Sequence, residues 1–447
     1  MDWLFQKETF SDSDLKLICF HPEKPCVIKT VRLQRGQQPH TEFKHESLTH
    51  TSEKEYVEWL KTSQASTEQP GIVLVMHSRL GDSEELARKP PGTMVLPYQE
   101  DTFRVASQRL FQHRSLSLII KRISTAVFNK KLVKWENEPS LGPSIVYNCR
   151  SDTVAPVNHG KPTDIALSAT FFAEKCITYA VMYGCADQVI EQTTAWLKRV
   201  KGQAIHPLIM PMIFVELERK RLFNLLDFEQ NSLQGQILHL KNKLRSESQA
   251  MESGKTRSND VSANDCESTK VWIDISSLKN GLESLKTQLE NMIEHSKELN
   301  TTFFRAHAEG NQVSCGHAQE REVGEKIETR LREMIVEFDS KVRTCDSLLG
   351  GMALAAQMES NYYSRQDAKV AISIANATKQ DGSQMRNIAW LGMVFLPGTF
   401  LATFFSMPFF DWNTPDTVTM WWMKRRTREA SRKQLLKDLE SEKASPV

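Results

Sequence analysis

The chain has 447 residues, of which 40% are apolar and 25% charged, proportions of a globular protein with room for two or three domains. Lys plus Arg number 57 against 55 Asp plus Glu, a net charge of +2, so there is no global basic field of the kind a nucleic-acid-binding chain carries. The eight cysteines are scattered without a C-x-x-C pair, which favours reduced thiols over a disulfide framework, and the start MDWLFQKETFSDSD has the plan of neither a secretory signal nor a mitochondrial presequence.

Residues 1–204 read as a mixed α/β domain. The runs LKLICF (15–20), GIVLVMH (71–77) and SIVYNC (144–149) have the length and composition of strands. IALSATFF (165–172) and CITYAVMYG (176–184) are separated by Ala-Glu-Lys, as in a hairpin. TFRVASQRLFQHRSLSLIIKRI (102–123) and ADQVIEQTTAWLKRV (186–200) read as helices, and the polar stretches 34–55 and 61–70 as loops. A long helix over 205–245 begins after Pro211, with Phe214, Leu217, Leu222, Leu225 and Phe228 on its apolar side. Residues 246–270 are rich in Ser, Asn, Asp and Glu and predict a disordered insert, because they have too little apolar surface to offset chain entropy.

The cleanest periodicity lies in 271–350. Val271, Ile275, Leu278, Leu282, Leu285, Leu289 and Met292 alternate steps of four and three; Ser296 interrupts the series and Leu299 resumes it. Val323, Ile327, Leu331, Met334, Phe338, Val342, Cys345 and Leu349 form a second series beyond the loop HAEGNQVSCGH. Two such helices predict an antiparallel hairpin. Gly350-Gly351 reads as a helix break, after which a stalk helix spans 351–387, with Tyr362, Ala368, Ile372 and Ala375 at helical spacing.

The stalk leads into Ile388–Phe410, 23 residues without a charge, flanked by Arg386 and Asp411 and with Trp390 and Trp412 near its ends. At about 1.5 Å per residue this spans roughly 34 Å, enough for a hydrocarbon core of about 30 Å. Thr399, Thr403 and Ser406 share one face, and the stripe extends back through Leu396, Gly392, Ile388 and Met385. Such a stripe suits either the wall of a narrow pore or helix–helix packing, which also recruits small and hydroxylated residues. Pro397-Gly398 predicts a kink. Residues 411–447 form a basic tail, with six cations and one acid between Lys424 and Lys433.

Other chemistry is thin. His40, His45 and His50 recur at five-residue spacing, which does not suit a helical metal pair, and read as solvated loop histidines. Cys19, His21 and Cys26 form a loose thiol–imidazole group. Glu320, Glu322, Glu325, Glu328 and Glu333 read as a solvated helix face, so no metal-sensing residue is assigned. Neither a phosphate-cradling G-x-x-x-x-G-K-[ST] loop nor a G-x-S-x-G elbow occurs, and no catalytic or cofactor-binding residue emerges; the chain is not read as an enzyme.

The segment IANATKQDGSQMRNIAWLGMVFLPGTFLATFFSMPFFDW (374–412) resembles the stalk and first transmembrane helix of fungal CorA-like magnesium transporter domain proteins. DIALSATFFAEKCITYAVMYGC (164–185), HPLIMPMIFVELER (206–219) and the order of parts extend the resemblance. It implies an α+β plan: an N-terminal mixed α/β cytosolic domain, long antiparallel helices, and a stalk helix continuing into a transmembrane helix. It also implies a homopentamer whose first membrane helices line a cation pore, with magnesium or another divalent cation as the transported or regulatory ion and lipid around it. Met385 and Leu396 would be apolar constrictions and Thr399 a hydroxyl ring. The family's Gly-Met-Asn signature is matched here by Ser406, Met407 and Pro408, and its second span by nothing longer than VTMWWM (418–423). The expected topology is therefore a single pass with a cytosolic body. A membrane-tethered helical oligomerisation protein without transport is the alternative.

Overall fold

The computed structural model describes residues 8–23, 27–35, 43–62, 69–79, 94–121, 126–151, 164–200, 206–252, 261–303, 317–407 and 415–442. They fall into two units, Met1–Ala355 and Ala356–Val447.

The first unit is a mixed α/β domain followed by long helices. Its strands are β1 (Ile18–Phe20), β2 (Ile28–Gln34), β3 (Lys44–His50), β4 (Gly71–Ser78), β5 (Met94–Leu96), β6 (Val127–Lys134), β7 (Pro143–Arg150), β8 (Ala166–Phe172) and β9 (Ile177–Cys185). Seven of them form one sheet in the order β3-β2-β4-β9-β8-β7-β6, while β1 and β5 pair separately. Within the large sheet only β4 and β9 run parallel. β8 and β9 are the expected hairpin, closing with Phe172 opposite Ile177.

Helices cover both faces of this sheet, so its central strands are buried along nearly their whole length, polar residues such as Ser168 and Thr170 of β8 included. β4 sends Ile72, Leu74 and Met76 into one core and Val73 and Val75 into the other, the period-two geometry of extended chain. The second core is closed by Tyr56 and Leu60 of α2 (Glu53–Thr62) and by Phe103 of α3 (Glu100–Arg109). The first is closed by α4 (Asp187–Val200), through Ile190 and Leu197, and by the long helices.

Those long helices are α5 (Ile209–Glu252), α6 (Val261–Glu298) and α7 (His317–Ser406). Pro211 lies in the first turn of α5, where its missing N–H would have had no intrahelical partner. The four–three series on α6, from Val271 to Met292, is at most 1% exposed at every position. On α7, Leu331, Met334, Phe338 and Cys345 are fully buried, and Val342 and Leu349 pack against the same core. Each such side chain contributes about 1.5–3 kcal/mol by leaving water. Ion pairs along the rim fix the directions. Lys279–Asp346 and Lys286–Asp339, both 2.7 Å, make α6 and α7 antiparallel. Glu216–Arg330 and Asp227–Lys341, both 2.8 Å, make α5 and α7 parallel. Ser296, which interrupts the series, is buried with its hydroxyl 3.4 Å from the Gly324 carbonyl. A Cβ on Gly324 would lie 3.0 Å from Asn300 Oδ1, so both small residues mark a close approach of the two helices.

Several expectations are revised. Residues 34–55 and 61–70 are not plain loops: they contain β3 and both ends of α2. β3 is a polar edge strand that exists because β2 pairs with it, from Ile28–His50 to Gln34–Lys44, and polar edges resist unwanted pairing. The single helix expected over 102–123 is two, α3 and Ser115–Lys121, because Phe111 turns to φ 51° and sets its ring against Phe172, Tyr179 and Trp135. The first long helix continues past 245 to Glu252, and helix resumes at Val261, so both margins of the expected insert are helical; 253–260 lie outside the described residues. Phe228 is 42% exposed and its neighbour Glu229 is buried, the reverse of the expected apolar face. Gly350-Gly351 does not break α7, which runs through both. The basic tail is helical over Pro415–Glu442, hereafter α8.

Phe338→Ala is expected to cost about 3–5 kcal/mol of unfolding free energy by leaving a cavity among α5, α6 and α7. Val336→Ala, two residues away and 66% exposed, is expected to stay within about 0.5 kcal/mol. Denaturant unfolding of both variants checks the pair.

Candidate pore helix

Beyond Ala355 the environment of α7 changes. Every described side chain from 356 to 407 is exposed except Tyr363 and Gly392, which are half-buried. The expected stalk positions Ala368, Ile372 and Ala375 are among the exposed ones, with Ile372 at 62%. This is the one helix among the described residues long and apolar enough to cross a membrane, and none of its apolar window is buried. A core helix of a soluble protein would be covered by its own chain. Trp390, Phe395, Leu396 and Phe400 stand 63–71% open.

The sequence-predicted stripe lies on a continuous helix. At about 100° per residue, Met385, Ile388, Gly392, Leu396, Thr399, Thr403 and Ser406 fall within about 80° of one another. Met385 and Leu396 are 68% and 71% exposed. The hydroxyls bond to their own helix: Thr399 Oγ1 donates to the Phe395 carbonyl at 2.9 Å, Thr403 to the Thr399 carbonyl, and Ser406 to the Thr403 carbonyl at 3.1 Å. Each O–H is thus committed to the backbone, and the oxygen presents only lone pairs outward. Pro397 sits inside the helix, so the Met393 carbonyl loses its usual donor. Of the signature positions, Ser406 ends the helix, Met407 follows it at 52% exposure, and Pro408 lies outside the described residues, as do Phe409 and Phe410.

In α8, Met420, Trp421, Trp422 and Met423 are 58–63% exposed. Arg425 stacks its guanidinium 5.5 Å from the Trp421 ring centre and reaches Glu429 at 3.7 Å. Lys424, Arg426, Arg428, Arg432 and Lys433 follow on the same helix, all exposed.

The body's buried polar groups serve cohesion. Glu218 is fully buried and accepts bonds from Ser151 Oγ (2.7 Å) and from Arg221 (2.6 and 2.8 Å), which ties the end of β7 to α5. His295 on α6 bonds Tyr147 on β7 through Nε2 at 2.8 Å, and its Nδ1 lies 3.1 Å from both Lys130 and Glu298. Burial holds this imidazole below its ordinary range. Of the acids expected on a solvated face of α7, Glu322 pairs with Lys326, Glu328 with Arg332 and Glu333 with Arg330, whereas Glu320 is buried, with Cys176 Sγ 4.0 Å from its carboxylate. Among the described residues no three His, Cys, Asp or Glu side chains gather as a metal site.

The histidine expectation needs correcting. His45 and His50 lie on β3 rather than in a solvated loop, and buried His50 Nε2 is 3.2 Å from Thr30 Oγ1; His40 lies outside the described residues. Cys19 Sγ and His21 Nε2 do meet, at 3.3 Å, while Cys26 lies outside. Sequence reasoning did not single out His77, which stacks on Tyr183 with ring centres 4.9 Å apart, or His206 at the foot of α5. Burial drives both imidazoles down to about 3.

No family model matches the chain, and no curated protein matches it. Among solved structures it is similar to the crystal structure of the ZntB cytoplasmic domain from Vibrio parahaemolyticus, with a TM-score of 0.33 and 10% sequence identity over 73% of this chain and 98% of that one.

Two outcomes are expected. Glu218→Ala removes the buried carboxylate that Ser151 and Arg221 bond and should cost about 3–5 kcal/mol, whereas Glu337→Gln, in a half-exposed pair, should cost about 1 kcal/mol or less; chemical denaturation separates them. His77 is neutral in the fold but takes up a proton near the ordinary imidazole value of 6.5 when unfolded. The stability it contributes is therefore present above about pH 6.5 and lost as pH falls toward about 3. His77→Phe, which keeps the stack on Tyr183, should flatten the fall of the unfolding midpoint between about pH 7 and about pH 5.

Proposed function

We propose that this chain is a subunit of a CorA-like divalent cation channel, with its α/β body in the cytosol and α7 crossing the membrane. The observation that carries the reading is the apolar end of α7, which continues from a helix of the body and is left uncovered by the described residues. Transport would be passive diffusion, with no catalysis. The resemblance of 374–412 supplies the rest of the proposal: a homopentamer, and magnesium as the ion.

The chemistry of the stripe fits a hydrated cation. Waters around a cation turn their hydrogens outward and need acceptors. Thr399, Thr403 and Ser406 have spent their own protons on backbone carbonyls and offer lone pairs. A ring of such oxygens would accept the hydration shell, while rings of Met385 and Leu396 would close by dewetting.

A second reading has its own support. The apolar part of α8 is the six residues VTMWWM, far short of the roughly 20 that a span needs, and six cations follow between Lys424 and Lys433. Proline at 408 has no side-chain donor or acceptor where the family has asparagine. A membrane tether that oligomerises without conducting would need neither feature.

Reconstituted liposomes loaded with a magnesium-sensitive dye test the channel. Influx above that of empty liposomes is expected, lowered about tenfold or more by Gly392→Trp, which would plug the stripe. Background flux from this chain and from a version with a second span added would overturn the channel and leave the tether. For both readings, Phe395→Arg with Leu396→Arg should release the chain to carbonate washing, since each arginine costs about 2.5–3.5 kcal/mol at mid-membrane. Release of the unmodified chain would overturn both.

A further inference from the structure

Five residues of α8 form a single row. Trp421, Arg425, Arg428, Arg432 and Leu435 follow one another at steps of four, three, four and three. At about 100° per residue they fall within about 80° of one another on the helix. The row is exposed throughout, with Trp421 at 60% and Leu435 at 63%. Lys424 stands beside it, and Arg425 lays its guanidinium over the Trp421 ring at 5.5 Å. The opposite side carries Met423, Thr427, Ala430 and Gln434, none of them charged. Arg426 and Lys433 lie off the row, about 120–140° from its centre.

We propose that this row is a docking surface for anionic phospholipid, so that α8 lies along the headgroups of the bilayer that α7 enters. The proposal rests on the membrane reading of α7, which the channel and the tether share. Chain at about 3.3–3.6 Å per residue holds Trp421 no more than roughly 55 Å from Ser406, where α7 ends, so α8 stays within reach of a lipid surface.

Two features favour lipid over a merely solvated face. The first is unbalanced charge. Exposed cations on the body's helices stand beside acids: Lys326 with Glu322 and Arg332 with Glu328, both at 2.6 Å. Between Lys424 and Lys433 the one acid is Glu429, and Arg425 takes it at 3.7 Å. Lys424, Arg428 and Arg432 form no ion pair among the described residues, and at spacings of four they repel one another along the helix. An anionic surface turns that repulsion into attraction, and each guanidinium fork can meet two phosphate oxygens at once. The second feature is what brackets the cations. Tryptophan settles at headgroup level, with its ring in apolar surroundings and its N–H in water. Leu435 gives the row an apolar foot at the other end. The arginine stems between them are apolar too and carry their charge at the tip, so the whole row can rest its base on acyl chains while the guanidinium groups reach phosphate.

The test uses the full chain in nanodiscs of phosphatidylcholine, alone or with about one third phosphatidylserine. Hydrogen exchange is read over residues 420–436, with residues 271–292 as the internal reference for folding. The anionic lipid should slow exchange over 420–436 about tenfold, and roughly 1 M salt should abolish the slowing, because the screening length falls to about 3 Å. Arg428→Gln with Arg432→Gln should lose most of the slowing. Arg426→Gln with Lys433→Gln removes the same charge from off the row and should keep it. Equal exchange in the two lipids would overturn the docking surface and leave the span of α7 standing. Equal loss in the two double variants would also overturn it, by making net charge rather than the row responsible. Failure of the span shows separately, as release of the unmodified chain by carbonate washing, and would remove the premise that holds α8 at a bilayer.

Discussion

The packing of the α6 seam against α7 is the interaction on which the rest of the molecule depends. Val271 to Met292 and Val323 to Cys345 are buried almost without exception, and Ser296 and Gly324 let the helices approach where the series is interrupted. The sheet joins this seam through particular side chains rather than general contact. Tyr147 reaches His295 from β7, Lys130 reaches Glu298 from β6, and Ser151 reaches Glu218 on α5. These bonds join the sheet to the helices, which also share its core.

The same helix that closes the core supplies the candidate membrane segment. Up to about Leu349 its apolar residues recur at steps of three and four and are covered by neighbours. From Ile388 onward they surround the helix, and none of the apolar window is buried among the described residues. A stripe suits a helix packed on one side, and a full apolar circumference is the pattern of a candidate membrane segment.

Sequence reading succeeded where one physical term dominated. The α6 and α7 series were legible because burial demands a strict period, and β4, β7, β8 and β9 because strands covered on both faces send apolar residues into each core. It failed where tertiary contact overrode local preference. β3, LysHisGluSerLeuThrHis in composition, has no strand signal of its own and borrows its form from β2. Phe111 leaves helical geometry to fill an aromatic cluster. Phe228 is expected on the apolar side because hydrophobicity alone cannot see that the helix phase set by Leu222, Leu226 and Leu233 turns Glu229 inward instead. In the candidate site, spacing alone located the stripe. The back-bonding of its hydroxyls, which decides what kind of group they offer, needed coordinates.

Gly350 and Gly351 stand at the point where burial along α7 ends. A Cβ on either would meet nothing within 4 Å, so glycine is not there to admit a neighbour. Each weakens a helix by about 1 kcal/mol relative to alanine. In a rod of 90 residues, two adjacent weak links gather thermal bending and twisting into a single place. Gly350-Gly351 is thereby a compliant point of α7 at the end of its buried stretch.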